Sequence, residues 1–203
     1  MVHDYFVHEE AINESEDIGE GTRIWGFSHI MAGVVVGRLC NIGEHCFLEG
    51  GVRVGDGVTI KNQVHIWEGV ILNDYVFIGP NVVFTNDRFP RSPRNEMVSG
   101  KYATKDWLVP TVICEGASLG ANSTICCGIT VGRYAMVGAG AVVTKDVDEH
   151  ALVYGNPARQ AGWVCFCGQT LVGDEQLVCK KCGAFYCVVN GRCQCTQKAG
   201  NGQ

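Results

Sequence analysis

The chain has 203 residues and a net charge of -5, and 46% of its residues are hydrophobic. It contains no long run of like charges, which argues against a nucleic-acid partner. No apolar stretch approaches the roughly 20 residues that a membrane span requires, and the N-terminus lacks the apolar region of a secretory signal. The composition therefore predicts a cytoplasmic protein that binds neither nucleic acid nor membrane.

Residues 1–17 come before the regular part of the chain, and we expect them to cap its open end. From Ile18 onward an apolar residue stands at every sixth position, twelve times in succession. Neither a helix of period 3.6 nor a strand of period 2 produces this spacing. It is typical of a β-helix, whose coil turns a corner every six residues. The apolar positions are Ile18, Ile24, Ile30, Val36, Ile42, Leu48, Val54, Ile60, Ile66, Leu72, Ile78 and Phe84.

A second column of residues supports the coil. The residue four positions after each of the first eleven of these apolar residues is small or β-branched, which suits extended backbone around a narrow interior. Cys40 and Cys46 fall in this column, so we interpret them as small buried hydrophobes. The apolar series resumes in a new phase at Ile113, Leu119, Ile125, Val131, Val137 and Val143. The pattern therefore predicts an all-β domain over residues 18–160.

Residues 86–107 interrupt the coil. A loop of this length within a compact domain is more often functional than a plain connection. It carries Arg88, Arg91 and Arg94, whose guanidinium forks suit phosphate oxygens. An ordinary solvated loop, or a loop that packs against a neighbouring subunit, remains an alternative.

One lap of the predicted coil takes 18 residues, so residues 18 apart stack about 4.8 Å from each other. Glu68 and Asn86 have this separation, at the point where the charged loop leaves the coil. Asn62 and His65 precede Glu68 on the same lap, and His29 lies two laps below His65. We expect these side chains to form a polar cluster, although each alone could be an exposed polar residue on a solvated wall.

Residues 161–195 are rich in cysteine. Cys165 and Cys167, followed by Cys179 and Cys182, have a spacing that indicates two metal-binding knuckles, and four thiolates suit a structural zinc ion. The first pair has one intervening residue instead of two, and any of three further cysteines could replace a ligand. These are Cys187, Cys193 and Cys195. We expect residues 196–203 to be disordered.

Several stretches resemble one enzyme family. They are residues 24–30, 66–70, 83–87, 90–92, 132–147 and 154–160, together with the cysteine-rich tail. In these stretches the chain resembles the left-handed β-helix acyltransferases and, within them, the N-acetyltransferases of nucleotide-linked 3-amino sugars. The resemblance implies a left-handed parallel β-helix, acetyl-CoA as the donor, a nucleotide-linked amino sugar as the acceptor, and a homotrimer with active sites between subunits.

The same resemblance implies roles for single residues. Asn86 matches a position near the attacking amine, and Glu68 and Asn62 match positions near the sugar. The residues that match the acetyl-CoA site are Gly138, Ala139, Lys145, Asn156 and Arg159. We predict a catalytic set of Asn86, Glu68 and His65. We predict a substrate-binding set of His29, Asn62 and Arg91.

The chemistry of N-acetylation fits this set, because a neutral amine attacks a thioester with little activation and mainly needs to be positioned. Asn86 does not titrate, so we assign it orientation of the amine, while Glu68 could accept a proton or bind a sugar hydroxyl. An O-acetyltransferase would need a base such as His65. A metal-dependent hydratase would need three converging histidines, and His29, His45 and His65 lack the close spacing of such a site. A non-catalytic scaffold is the remaining alternative.

Overall fold

The computed structural model describes residues 4–173 and 176–197. Most of these residues form short strands that pass in turn through three parallel sheets, which enclose one apolar core. The predicted all-β parallel β-helix is confirmed. The helical element among the described residues is a short 3-10 helix, Glu96–Tyr102, and none of these residues belongs to a helix able to cross a membrane.

The three sheets form the walls of the coil, and an ordinary lap adds one strand to each wall. The first wall contains Phe6–Val7, Arg23–Ile24, Asn41–Ile42, Thr59–Ile60, Phe77–Ile78, Ser118–Leu119, Met136–Val137, Ala151–Gly155 and Ala158–Trp163. The second wall contains Ile12–Asn13, His29–Ile30, Phe47–Leu48, His65–Ile66, Val83–Phe84, Thr124–Ile125 and Val142–Val143. The third wall contains Asp17–Ile18, Val35–Val36, Arg53–Val54, Val70–Leu72, Thr111–Ile113 and Thr130–Val131.

The predicted apolar series lines the core. Apart from Ile18, which is partly buried, every residue of the series is at most 4% exposed. In an ordinary lap, partners in neighbouring strands are 18 residues apart, as in the pairing of Thr59 with Phe77. Each fully buried aliphatic side chain stabilises the fold by about 1.5–3 kcal/mol, so the repeated column is the main source of stability.

Small polar side chains of the second column connect successive laps inside the core. The Ser28 hydroxyl donates to the Gly43 carbonyl oxygen at 2.7 Å and accepts the Cys46 amide at 2.9 Å. The Thr22 hydroxyl links its lap to the next in the same way. Ser123 occupies an equivalent inward position and is fully buried, but its hydroxyl has no hydrogen-bond partner.

The inserted loop adds length to a single lap. Val83 pairs with Thr124, 41 residues later, where an ordinary lap has 18, so the loop contributes 23 extra residues. At its base Asp87 forms an antiparallel bridge with Leu108, and the Val109 amide donates to the Asn86 carbonyl oxygen at 2.9 Å. The coil resumes directly afterwards, so the loop leaves and returns at one corner.

The first lap differs from the prediction for residues 1–17. The strands Phe6–Val7 and Ile12–Asn13 pair in parallel with the next lap, so this segment belongs to the coil and is not a separate cap. In this lap the strand partners are 17 residues apart instead of 18, because Val7 pairs with Ile24 and Asn13 with Ile30. The positions that face the core are therefore displaced by one residue. Ile12 is consequently 57% exposed, although it continues the six-residue spacing.

The coil ends with a change of direction. Ala151–Gly155 pairs in parallel with Met136–Val137, and Ala158–Trp163 then returns antiparallel. The tail that follows has its own three-stranded sheet, Gln176–Val178, Phe185–Val189 and Arg192–Gln197, and its own small core. Trp163 packs against both cores. The last strand runs two residues into the segment 196–203 that we expect to be disordered, and residues 198–203 lie outside the described residues.

Candidate functional site

A column of side chains runs along the corner between the second and third walls. Its members lie on successive laps, because the strands that precede them pair in register: Glu68, Asn86, Cys127 and Lys145. The Asn86 side-chain amide donates to the Glu68 backbone carbonyl oxygen at 3.4 Å. Glu68 and Asn86 therefore stack as the 18-residue lap predicts.

The inserted loop holds the Glu68 carboxylate. Glu68 Oε1 lies 2.5 Å from Lys105 Nζ, and the Glu68 amide donates to the Glu49 carboxylate at 2.8 Å. Lys105 is 69% exposed, so the ion pair itself contributes at most about 1 kcal/mol. The Glu68 carboxylate nevertheless already accepts a hydrogen bond from the Lys105 ammonium group. Glu49 was not predicted, since it lies one position away from the column that the lap length defines.

Asp87 fixes the base of the loop. Its Oδ2 accepts from Lys101 Nζ at 2.6 Å and from the Tyr102 hydroxyl at 2.9 Å, and its Oδ1 accepts the Phe89 amide at 2.8 Å. Burial by itself would raise the pKa of the Asp87 carboxyl, but the hydrogen bonds from Lys101, Phe89 and Tyr102 outweigh it and lower the pKa. Asp87 is therefore a structural carboxylate that fixes the path of the chain beside Asn86.

A cleft of about 720 Å³ opens between this loop and the upper laps of the coil. Arg88 and Lys145 line it, as do the acidic residues Asp87 and Asp146. A second, smaller cleft of about 230 Å³ shares residues 144–146 with it and contains Arg159. The clefts bring Lys145 and Arg159, both predicted to bind acetyl-CoA, into one continuous region that begins beside the loop.

The outer face of the second wall carries a ladder of rings. The His29 and Phe47 ring centroids are 5.7 Å apart, those of Phe47 and His65 are 6.3 Å apart, and those of His65 and Trp67 are 6.1 Å apart. His29 Nε2 lies 3.3 Å from a Glu14 carboxylate oxygen. Phe47 and Trp67 were not predicted as site residues. A signal for Phe47 was present in the sequence, because Phe47 lies 18 residues from both His29 and His65.

The remaining predicted residues lie away from the Asn86 column. Asn62 is at the opposite corner of the second wall, where its Oδ1 accepts the Glu44 amide at 3.2 Å. Gly138 and Ala139 lie at that same corner on a later lap, between the first-wall strand Met136–Val137 and the second-wall strand Val142–Val143. The structure therefore separates Asn62 from Glu68 within one chain, because a whole wall lies between two consecutive corners.

Arg91 and Asn156 are exposed. The Arg91 guanidinium donates to the neighbouring Pro90 carbonyl oxygen at 2.8 Å, and Asn156 lies in the turn of the final hairpin. His45 stacks on Phe27 instead of approaching His29 or His65. Among residues 4–173 and 176–197, no group of three histidines forms a metal site.

The predicted zinc ligands converge. The sulfur atoms of Cys165, Cys167, Cys179 and Cys182 all lie within 4.8 Å of one another, with Cys165 and Cys182 3.4 Å apart and Cys167 and Cys179 3.5 Å apart. A tetrahedral site with Zn–S bonds of about 2.3 Å needs sulfur atoms about 3.8 Å apart. The four thiols therefore fit a closed structural zinc site.

The surroundings of these sulfur atoms differ. Burial raises the pKa of the Cys165 thiol to about 12. Burial also opposes ionisation of Cys179, but backbone amides of Cys182 and Lys181 donate to its sulfur and lower its pKa to about 6. The Tyr186 hydroxyl donates to Cys165 Sγ at 3.1 Å, and its ring contacts His150, whose pKa is lowered by burial. Tyr186 and His150 thus connect the thiol cluster to the coil.

Comparison with known proteins agrees with this architecture. Residues 17–50, 51–86 and 110–145 match the family described as Bacterial transferase hexapeptide (six repeats). The chain is 49% identical over 187 residues to a dTDP-3-amino-3,6-dideoxy-alpha-D-galactopyranose 3-N-acetyltransferase of Aneurinibacillus thermoaerophilus, covering 92% of each protein. It is 28% identical over 127 residues to a galactoside O-acetyltransferase of Lactococcus lactis, covering 57% of this chain and 59% of that protein. Its fold is similar to the acetyltransferase domain of PglB from Neisseria gonorrhoeae, with a TM-score of 0.51 and 21% identity over 76% of this chain and 56% of that one.

Proposed function

The chain belongs to the bacterial transferase hexapeptide family, and we propose that it transfers the acetyl group of acetyl-CoA to the amino group of a nucleotide-linked amino sugar. The observation that carries the proposal is the Glu68–Asn86 column beside an inserted loop, next to a cleft that Arg88 and Lys145 line. The relative that is 49% identical is an N-acetyltransferase of a dTDP-linked 3-amino sugar, so a 3-amino-3-deoxy sugar is the proposed acceptor.

The reaction requires attack of the amine nitrogen on the thioester carbonyl carbon. The C–N bond forms, the C–S bond breaks, and the departing CoA thiolate can take the proton that the nitrogen loses. Asn86 suits orientation of the amine. Its Nδ2 donates to the Glu68 backbone carbonyl oxygen, and its Oδ1 remains to accept an amine N–H. That hydrogen bond would aim the nitrogen lone pair at the thioester.

Positioning is the main catalytic contribution in this proposal. Holding two reactants in line can lower a barrier by roughly 7–11 kcal/mol in ideal cases. Glu68 is paired with Lys105, which makes it a better acceptor for a sugar hydroxyl than a general base. His65 lies in the ring ladder, and among the described residues no carboxylate pairs with its imidazole. O-Acetyl transfer through a histidine base is therefore the less favoured reaction.

A homotrimer would complete the site. Asn62, Gly138 and Ala139 lie at one corner of the second wall, and Asn86 and Lys145 lie at the next. Side-by-side packing of two copies would bring the Asn62 corner of one subunit next to the Asn86 corner of the other. One chain alone cannot bring these two corners together. The exposed apolar residues of the second wall, such as Val83 at 49% exposure, favour its burial against another subunit.

We assign the four converging thiols to a structural zinc ion, which when bound would neutralise the thiolates and cross-link the tail. Cys165, Cys167, Cys179 and Cys182 would hold it, and Tyr186 would donate to the Cys165 sulfur. The small core of the tail needs such a link, since seven buried residues supply little apolar area. We place the enzyme in the cytoplasm, where acetyl-CoA and nucleotide-linked sugars are both available.

The proposal is tested with purified protein, acetyl-CoA and a panel of dTDP- and UDP-linked amino sugars, with the product and free CoA separated by chromatography. We expect release of one CoA for each sugar acetylated on nitrogen, with a preference for a 3-amino sugar. If no member of the panel causes CoA release, the proposed function is wrong. If a sugar or serine hydroxyl is acetylated instead, and if His65→Ala abolishes the reaction, the enzyme is an O-acetyltransferase.

A further inference from the structure

Arg88 enters the cleft two residues after Asn86. Among the residues that the structure describes, its guanidinium forms no ion pair and no hydrogen bond. The arginines that follow it in the loop, Arg91 and Arg94, are exposed and do not line this cleft. Arg88 is therefore a free cation that the loop directs at the coil.

A glycine makes room for this guanidinium. A Cβ atom added at Gly128 would lie only 2.6 Å from Arg88 Nη2 and 2.8 Å from Val109 Cγ1. Gly128 also has a φ of +78°, which side-chain-bearing residues rarely adopt. The Arg88 fork thus lies against the backbone of the coil at a corner where a side chain would displace it.

The cleft contains a second free cation. Lys145 has no ion pair or hydrogen bond to the described part of the chain. The acidic residues of the cleft are already engaged: Asp87 by Lys101 and Tyr102, and Asp146 by the Thr130 amide at 2.8 Å. Asp146 keeps its negative charge, since a backbone amide is neutral, but Arg88 and Lys145 are the cations of the cleft that remain available to an anion.

We propose that Arg88 and Lys145 together bind the diphosphate of a substrate in this cleft, with the Arg88 fork as the oriented contact. The inference rests on the proposed function, because acetyl-CoA and a nucleotide-linked sugar both carry a diphosphate. It adds to that function a substrate-binding residue and a location for the phosphates. A guanidinium that donates to two phosphate oxygens at once would also fix the reacting end of that substrate relative to Asn86.

Calorimetric titration of the intact protein with CoA, and separately with dTDP, tests the inference. We expect Arg88→Gln to weaken one of these ligands by about 10- to 100-fold, the loss typical of a charge-assisted hydrogen bond. Arg88→Lys should recover only part of the affinity, because an ammonium group lacks the fork. Arg94→Gln is the matched control, and we expect both ligands to bind it as they bind the unmodified protein.

The ligand that loses affinity identifies the source of the diphosphate. Unchanged binding of both ligands to Arg88→Gln, with unchanged thermal unfolding, would overturn the inference while leaving the proposed function intact. An equal loss in Arg94→Gln would also overturn it, because the effect would then reflect only loop charge. If the unmodified protein binds neither CoA nor dTDP, the proposed function fails together with the inference.

Discussion

Replacing Ser28 with alanine should destabilise the coil far more than the same change at Ser123. The Ser28 hydroxyl makes two buried hydrogen bonds between laps, to the Gly43 carbonyl oxygen at 2.7 Å and from the Cys46 amide at 2.9 Å. Ser28→Ala leaves both backbone groups without this partner, and each such loss costs about 1–3 kcal/mol. We therefore expect a decrease of at least about 2 kcal/mol in the free energy of unfolding.

Ser123 provides the matched control, because its hydroxyl is equally buried and has no partner. Ser123→Ala removes a polar group that gains nothing from burial, so stability should be unchanged or rise by about 1 kcal/mol. Urea unfolding followed by circular dichroism measures both variants at one protein concentration. With a slope of about 2 kcal/mol per M, the midpoint of Ser28→Ala should fall by roughly 1 M. Equal midpoints for the two variants would refute the reasoning.

Further predictions concern the site and the tail. Asn86→Ala should lower kcat by about 10²- to 10³-fold with a small change in KM for acetyl-CoA, since the substitution removes orientation of the amine. Steady-state kinetics measure both constants, and an unchanged kcat would contradict the role assigned to Asn86. His65→Ala should retain most of the N-acetyltransferase activity in steady-state kinetics, and loss of most of that activity would show that His65 takes part in catalysis. Lys105→Met should make the loop more accessible to proteolysis while unfolding shifts by less than about 1 kcal/mol; unchanged cleavage would show that the Glu68 contact does not hold the loop. Cys179→Ser should abolish stoichiometric zinc in metal analysis and lower the melting temperature of the tail. Cys195→Ser is the control and should retain the metal. Zinc retained in both variants would contradict the assigned ligands.

Much of the fold could be predicted from the sequence because one short spacing repeats. A residue such as Ile60 or Leu119 lies in the core for the same reason as the residues one lap away. An irregular residue at one position therefore does not change the prediction for the others. The first lap escaped prediction since its inward phase shifts by one residue at Asn13. Ile12 satisfies the spacing but faces outward, which only the pairing of the strands reveals.

The candidate site was only partly predictable. The stacking of Asn86 on Glu68 follows from lap length alone. The ion pair of Glu68 with Lys105 does not, because it depends on how 23 extra residues fold back over the corner. Closeness along the chain was also misleading for Asn62, which is six residues from Glu68 but lies at the neighbouring corner. Spacing along the coil predicts columns well and predicts contacts between corners poorly.

The reversal of direction at Ala158–Trp163 has a consequence for assembly. A parallel solenoid presents an open edge at each end, onto which another molecule could stack without limit. Here the returning strand occupies the edge of Ala151–Gly155, and the cysteine-rich tail follows it directly. The returning strand and the tail make this end of the coil less suited to end-to-end stacking, which leaves the flat walls as the surfaces for the homotrimer proposed above.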